Sequence, residues 1–263
     1  MSNAETSTNA LSIRHLGKSF PLKDGTVEAL KNIELEVKAG EFLSVIGASG
    51  CGKSTMLRLV VGLEKADEGE ILLDGLPVQG PRTACGMVFQ ESRLFPWMSV
   101  EANVAFGLNE KLSASERQEK VSHHLELVGL QDFRKAFPYQ LSGGMQQRIS
   151  IARALVNNPS ILLLDEPFGA LDAMTRITMQ QEILRIWEQE RTTMVLVTHD
   201  IDEAIFLGDQ VAIMSARPGT IRKIITVPLS RPRDRSSLEF VAIKKEIYGE
   251  FFAESKVQIE YAI

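Results

Sequence analysis

Apolar and polar residues alternate over Leu11–Phe20 and again over Ile33–Val37, the period of strands with one buried face. Asp24-Gly25 between them is a turn signal. Phe42–Ile46 reads as a buried strand, and the helical period takes over in Thr55–Val61. Glu68–Gly75 returns to strand and turn, and Cys85–Phe89 is a short apolar strand that stops at Gln90. The middle is different. Val100–Leu130 carries a helical pattern with a polar stretch from Asn109 to Lys120, and Gly129 and Pro138 break it. Ser142 caps a helix that runs to about Val156. Then come the apolar run Ile161–Leu164, a helix over Asp172–Arg191, the apolar run Thr193–Thr198 and a short helix over Asp200–Leu207. Two more β segments, Val211–Met214 and Ile221–Val227, precede an amphipathic helix over Ser237–Phe251.

Apolar strands alternating with helices imply an α/β fold whose mostly parallel sheet is covered on both faces. The first forty residues predict a separate antiparallel β subdomain, and the helical middle is an insertion into the parallel core. The expected division is a disordered lead over 1–10, a main domain over 11–235 with a helical subdomain at about 91–157, and a helical tail over 236–263. No repeat, heptad run or low-complexity tract is present.

Charge narrows the partners. The 263 residues carry a formal net charge of −5, which argues against a general nucleic-acid binder. Arg231, Arg233 and Arg235 form a local basic run that reads as a solvated loop. His123-His124 reads as part of a solvated helix face, since no ligand partner stands at metal spacing. Two cysteines, Cys51 and Cys85, make no disulfide framework, and no apolar stretch is long enough to span a bilayer.

Three segments carry chemistry. Gly47-Ala48-Ser49-Gly50-Cys51-Gly52-Lys53-Ser54 fits G-x-x-x-x-G-K-[ST] and lies between a strand and a helix. Backbone N–H groups and the helix dipole converge there on an anion. Lys53 reaches the β and γ phosphates and Ser54 can place its hydroxyl on Mg²⁺. Cys51, at the same helix start, is expected to be a reactive thiol. Asp165 and Glu166 follow four apolar residues, at the strand end where α/β sheets bind ligands. Asp165 is placed to hold Mg²⁺ and Glu166 to polarise an attacking water. Ser142-Gly143-Gly144 opens a second helix with exposed N–H groups, a second phosphate-binding end in one chain.

Taken together these segments resemble the ATP-binding subunit of an ABC transporter, a phosphate-loop NTPase. Gly47–Ser54 matches the Walker A loop, Leu141–Gln146 the signature motif and Ile161–Glu166 Walker B. Gln90, Asp172 and His199 match the Q-, D- and H-loops, and the order is the family's. The resemblance implies ATP and Mg²⁺ as cofactors. Glu166, His199 and Gln90 would be catalytic, and Ser54, Gln90 and Asp165 would hold the metal. Gly47, Ser49, Gly50, Cys51, Gly52, Lys53, Ser54 and Thr55 would bind the nucleotide, with Phe20 stacking on adenine where many members have tyrosine. Two copies would pair head to tail, so that Ser142, Gly143, Gly144, Gln146 and Asp172 of one complete the site of the other.

A finer resemblance, to the nitrate, sulfonate and taurine importers, lies in Phe89–Trp97 and Ser215–Ile221. It implies a motor for import of a small anion or sulfonate-like solute, on the cytoplasmic face of the cell membrane. Its partners would be transmembrane permease subunits and, indirectly, an extracytoplasmic solute-binding protein, with no nucleic acid. Leu94, Phe95 and Trp97 form an apolar cluster after Gln90, where the family's permease docks. The alternatives are an exporter motor or a non-transport ABC ATPase. DNA-repair members carry a long coiled coil before the signature and translation-linked members carry two cassettes; this chain shows neither.

Overall fold

In the computed structural model, residues 9–23, 25–108 and 111–260 are described, the side chains of 252–260 excepted. The expected turn residue Asp24, most of the expected lead and part of the polar stretch after Asn109 lie outside the described residues. β1 (Asn9–Leu22) and β2 (Gly25–Lys38) pair antiparallel, and β4 (Glu68–Leu73) joins the other edge of β1, followed by the two-residue β5 (Leu76–Pro77). This is the predicted antiparallel subdomain. Its strands are longer than the alternation alone suggests, because irregularities in the β1–β2 register let pairing continue beyond the strictly alternating stretch.

The second sheet has the order β10-β9-β3-β8-β7-β6. Its strands are β3 (Phe42–Gly47), β6 (Cys85–Val88), β7 (Ile161–Asp165), β8 (Thr193–Thr198), β9 (Gln210–Met214) and β10 (Ile221–Thr226). All neighbours run parallel except β10 against β9. The apolar runs of the central strands divide by parity between two cores. Leu43 and Val45 of β3, Leu163 of β7, and Val195 and Val197 of β8 pack with the first sheet and with α1 (Lys53–Val60). Phe42, Ile46, Leu162, Leu164, Met194 and Leu196 face the other way, into the core shared with the remaining helices. A strand buried on both faces needs apolar residues at every position, which is why these segments read as continuous runs.

The helical insertion is α2 (Val100–Ala105), α3 (Ala114–Leu127) and α4 (Gly143–Leu155). The continuous pattern over Val100–Leu130 is therefore two helices. Two local causes separate them. A Cβ on Gly107 would stand 2.4 Å from the Arg153 carbonyl oxygen, so the chain passes there against α4 where only glycine fits. Ser113 and Glu116 then form a capping box that starts α3 afresh. α5 (Ala173–Glu190) is capped by Asp172, α6 (Ile201–Leu207) by Asp200, and α7 (Leu238–Glu260) docks through buried Phe240 and Ile247.

Two surface readings are corrected. The 231–235 run is an internal clamp. Arg233 is 6% exposed and donates to the carbonyls of Ile205 and Gly208, each at 2.6 Å, which closes the C-terminal end of α6. Burial pushes its guanidinium down to about 10, so it stays cationic near neutral pH. Arg231 lies over the Trp187 ring at 4.4 Å and pairs with Asp209 at 2.5 Å; Arg235 lies over Phe206 at 3.9 Å. The second correction is His124, which is buried: its Nδ1 donates to the Lys120 carbonyl at 2.8 Å, and desolvation lowers its pKa. His123 remains on the exposed face.

Candidate functional site

β3 ends at Gly47 and the chain then turns back on itself. Gly50 and Gly52 take φ values of 75° and 105°, a backbone region that side chains disfavour. Gly52 is the N-cap of α1 and supplies no side-chain cap, so N–H groups at this helix end have no capping side chain. Lys53 is 5% exposed, and its ammonium donates to the carbonyls of Gly47 (2.8 Å) and Ala48 (3.1 Å), cross-linking the loop from within. The expected reactivity of Cys51 is not what the structure shows. The residue is 1% exposed: its thiol lies under the loop against Gly47, its carbonyl faces Gly219, and it does not line the cleft.

Ser54 Oγ donates to Asp165 Oδ1 at 2.8 Å, joining the start of α1 to the end of β7. Burial pushes the Asp165 carboxyl up, partly opposed by that hydrogen bond and by Arg58 and Lys53. An aspartate and a hydroxyl of this kind are hard oxygen ligands suited to Mg²⁺. The phosphate loop opens into a cleft of about 360 Å³. Phe20, Leu22, Val27 and Ala29 of the β1–β2 hairpin form an apolar wall. Ser49, Gly50, Gly52, Lys53, Ser54 and Thr55 form a polar floor, and Glu166 lies at its margin. Phe20 thus stands where a flat ring could be covered on one face.

Glu166 has φ 46°, an uncommon conformation for a non-glycine residue and one that collects at functional sites. Its N–H donates to the Val197 carbonyl at 2.9 Å, which pins the turn to β8. His199, just past β8, donates from Nδ1 to Glu166 Oε2 at 3.1 Å. Gln90 follows β6, and its amide reaches the same turn: a Cβ on Gly169 would meet Gln90 Nε2 at 2.9 Å. Four adjacent strands, β3, β8, β7 and β6, therefore deliver Ser54, His199, Asp165, Glu166 and Gln90 to one edge, the carboxyl edge of a parallel sheet.

The second set of predicted residues lies elsewhere. Ser142 caps α4 by accepting from Met145 N–H at 3.3 Å, and both Ser142 and Gly143 are exposed. Gly144 packs against Thr175, whose hydroxyl donates to Asp172 at 2.6 Å. The α4 and α5 N-termini thus sit together, and none of these residues lines the cleft. Gln146 is engaged within the chain, donating to the Pro138 and Leu141 carbonyls at 3.0 and 3.3 Å and accepting from Ser92 at 3.2 Å. Leu22, Val27 and Ala29 of the apolar wall have no counterpart among the sequence expectations, and neither does Arg217, on the turn between β9 and β10. Its segment stood out only as a resemblance, and no local pattern aims it at the loop.

A strand, a phosphate loop, a helix and paired carboxylates at the end of the next strand but one in the sheet define a phosphate-loop nucleoside triphosphatase. Residues 30–169 match the ABC transporter family. An aliphatic sulfonates import ATP-binding protein of Bacillus subtilis is 46% identical over 253 residues, covering 96% of this chain and 98% of its own. A nitrate import ATP-binding protein of Synechococcus elongatus is 47% identical, covering 89% and 87%. Among solved structures, a dimeric ATP-binding cassette in a post-hydrolysis state bound to ADP and Pi is 35% identical, with a TM-score of 0.71 over 84% of this chain and 100% of that one. The chain belongs to the ABC transporter family and carries its ATPase cassette.

Proposed function

We propose that this chain is the ATP-hydrolysing motor of an importer for a small anion of the nitrate or sulfonate type, working as a head-to-tail dimer on the cytoplasmic face of the cell membrane. One observation carries the proposal. The chain presents two helix ends that start at glycines, Gly52 before α1 and Gly143 in α4; the first opens into the cleft, and the second is exposed and does not line it. Each is half of a site, and two copies supply both halves.

The residues divide the work. The Walker A N–H groups and Lys53 bind the β and γ phosphates, with the ammonium exchanging its loop carbonyls for phosphate oxygens. Phe20 covers the base. Mg²⁺ fits the Ser54, Gln90 and Asp165 oxygens, and bound there it would neutralise phosphate charge. Glu166 takes a proton from the water that attacks the γ phosphorus as the bond to the bridging oxygen breaks. His199 holds that carboxylate in position. Ser142, Gly143 and Gly144 meet the γ phosphate of the partner's nucleotide, and Asp172 braces that end. Gln146 supports the segment through its internal hydrogen bonds.

Membrane coupling falls to the surface beyond Gln90. Trp97 is 71% and Phe106 60% exposed, and Phe95 bridges them with ring centroids at 5.6 and 4.6 Å. Exposed aromatics grouped in this way suit an interface. Leu94 packs inward against the core. No helix among the described residues is long and apolar enough to cross a membrane; the permease partner is proposed as separate subunits. The relatives' names supply the solute class. The test is reconstitution with the permease and the solute-binding protein. ATP hydrolysis should rise when that protein carries a sulfonate or nitrate. Hydrolysis indifferent to both would reject the importer reading.

A further inference from the structure

The turn over residues 215–220, between β9 and β10, rests directly on the phosphate loop. A Cβ on Gly219 would stand 2.1 Å from the Cys51 carbonyl oxygen, so the two backbones touch. Gly219 N–H donates to the Ala29 carbonyl at 2.9 Å, and Lys31 N–H donates to the Gly219 carbonyl at 3.0 Å, which ties the turn to β2. Within it, Ser215 Oγ donates to the Pro218 carbonyl at 3.0 Å and accepts from Thr220 N–H at 2.9 Å. Arg217 is thus carried on an anchored support, and it lines the same cleft as Ser49, Lys53 and Ser54.

The guanidinium itself is nearly idle. Nε donates to the Gly50 carbonyl at 3.2 Å, and Nη2 lies 3.2 Å from where a Gly50 Cβ would be. No carboxylate pairs with it among the described residues. Of the five N–H donors of an arginine, one is in use. Most other arginines around the two sheets have found partners: Arg231 has Asp209, Arg233 has backbone carbonyls and Arg14 has Glu70. An uncompensated cation fixed at the rim of a polyphosphate cleft has a clear chemical complement.

We propose that Arg217 binds the polyphosphate of the nucleotide, adding from the exposed side of the loop a second cation to the buried Lys53. The inference rests on the nucleotide-site reading above. A guanidinium fits phosphate oxygens through parallel N–H donors, whereas an ammonium is a point charge. Its place on Gly50 assigns it to the phosphates, since the apolar wall for the base belongs to the β1–β2 hairpin. The competing assignment is a carboxylate of the second copy in the dimer.

The test is equilibrium titration of the purified full chain with N-methylanthraniloyl ATP, ADP and adenosine. Arg217→Ala should weaken ATP and ADP about tenfold, the scale of one exposed charge-assisted contact, and leave adenosine unchanged. Arg217→Lys should recover only part of the loss. If the alanine protein fails to fold, Arg217→Gln removes the charge with a similar reach and should show the same phosphate-dependent loss. ATP affinity within about twofold of the parent would overturn the proposal. So would equal losses for adenosine and ATP, which would make the turn a structural support only. Unchanged monomer binding with loss of the ATP-bound Glu166→Gln dimer would assign Arg217 to the partner chain instead. A parent chain that binds no ATP would reject the nucleotide-site reading itself, a different failure from an Arg217 variant that binds normally.

Discussion

Replacing Arg233 by alanine tests the clamp behind α6. The side chain is 1% exposed and donates to five backbone carbonyls, of Ile205, Phe206, Gly208, Val227 and Leu229. The two bonds at 2.6 Å dominate, and both satisfy carbonyls at the end of α6. A hydrogen bond to a charged group contributes about 1.5–3 kcal/mol, and losing one member of a buried charged set costs about 3–5 kcal/mol. The remaining carbonyls would be left in a space that water enters only in part. For a chain of this size that loss lowers the melting midpoint by about 10 °C. Circular dichroism or differential scanning calorimetry on the nucleotide-free protein reads the shift directly. Arg233→Lys should recover little, because one ammonium cannot reach carbonyls on several sides. A solvated arginine would instead be replaceable within about 0.5 kcal/mol. A midpoint unmoved by Arg233→Ala would refute the clamp.

Three other outcomes are expected. Asp165→Asn should raise the stability of the nucleotide-free protein near neutral pH while abolishing hydrolysis. The folded state raises this carboxyl's pKa, so its contribution is fully present below the unfolded value of about 4 and is lost as pH rises through the folded value. The gain from asparagine should therefore shrink on acidification, and an acid-independent difference would contradict the assignment. Cys51 should resist iodoacetamide in the native protein and react after unfolding, since it is 1% exposed; mass spectrometry showing equal rates would place the thiol at the surface. Trp97→Ala should leave the melting midpoint of the isolated chain within about 1 °C, because surface changes shift stability little. It should lose co-purification with the permease, and unchanged assembly would remove this docking surface.

The central strands were legible because burial on both faces writes itself as an unbroken apolar run, as in Ile161–Leu164 and Thr193–Thr198. Residues flanking such strands were legible too, since the parallel sheet delivers Asp165, Glu166 and His199 to one edge. What escaped depends on long-range contacts. Arg233 meets carbonyls of residues 205–208, and nothing in its neighbours distinguishes it from a solvated arginine. Arg217 reaches Gly50 only through the register that sets β9 beside β3. His124 differs from His123 only in which side of α3 faces the core, a choice that the weakly amphipathic sequence leaves open. The break near Gly107 did have a local signal, Ser113 with Glu116 three residues on, which the broad helical period over Val100–Leu130 concealed.

One chain is proposed to carry two half-sites, which ATP joins across a dimer. Glu166→Gln removes the proposed base and keeps both proposed phosphate-binding helix ends, so hydrolysis should be very slow and the ATP-bound state should accumulate. Size-exclusion chromatography with light scattering on this variant, with and without ATP, is the direct measurement. The variant should be a monomer without nucleotide and a dimer with ATP, and adding Ser142→Arg should abolish the dimer while each monomer still binds ATP. A Glu166→Gln protein that remains monomeric at saturating ATP would contradict the proposal of two half-sites.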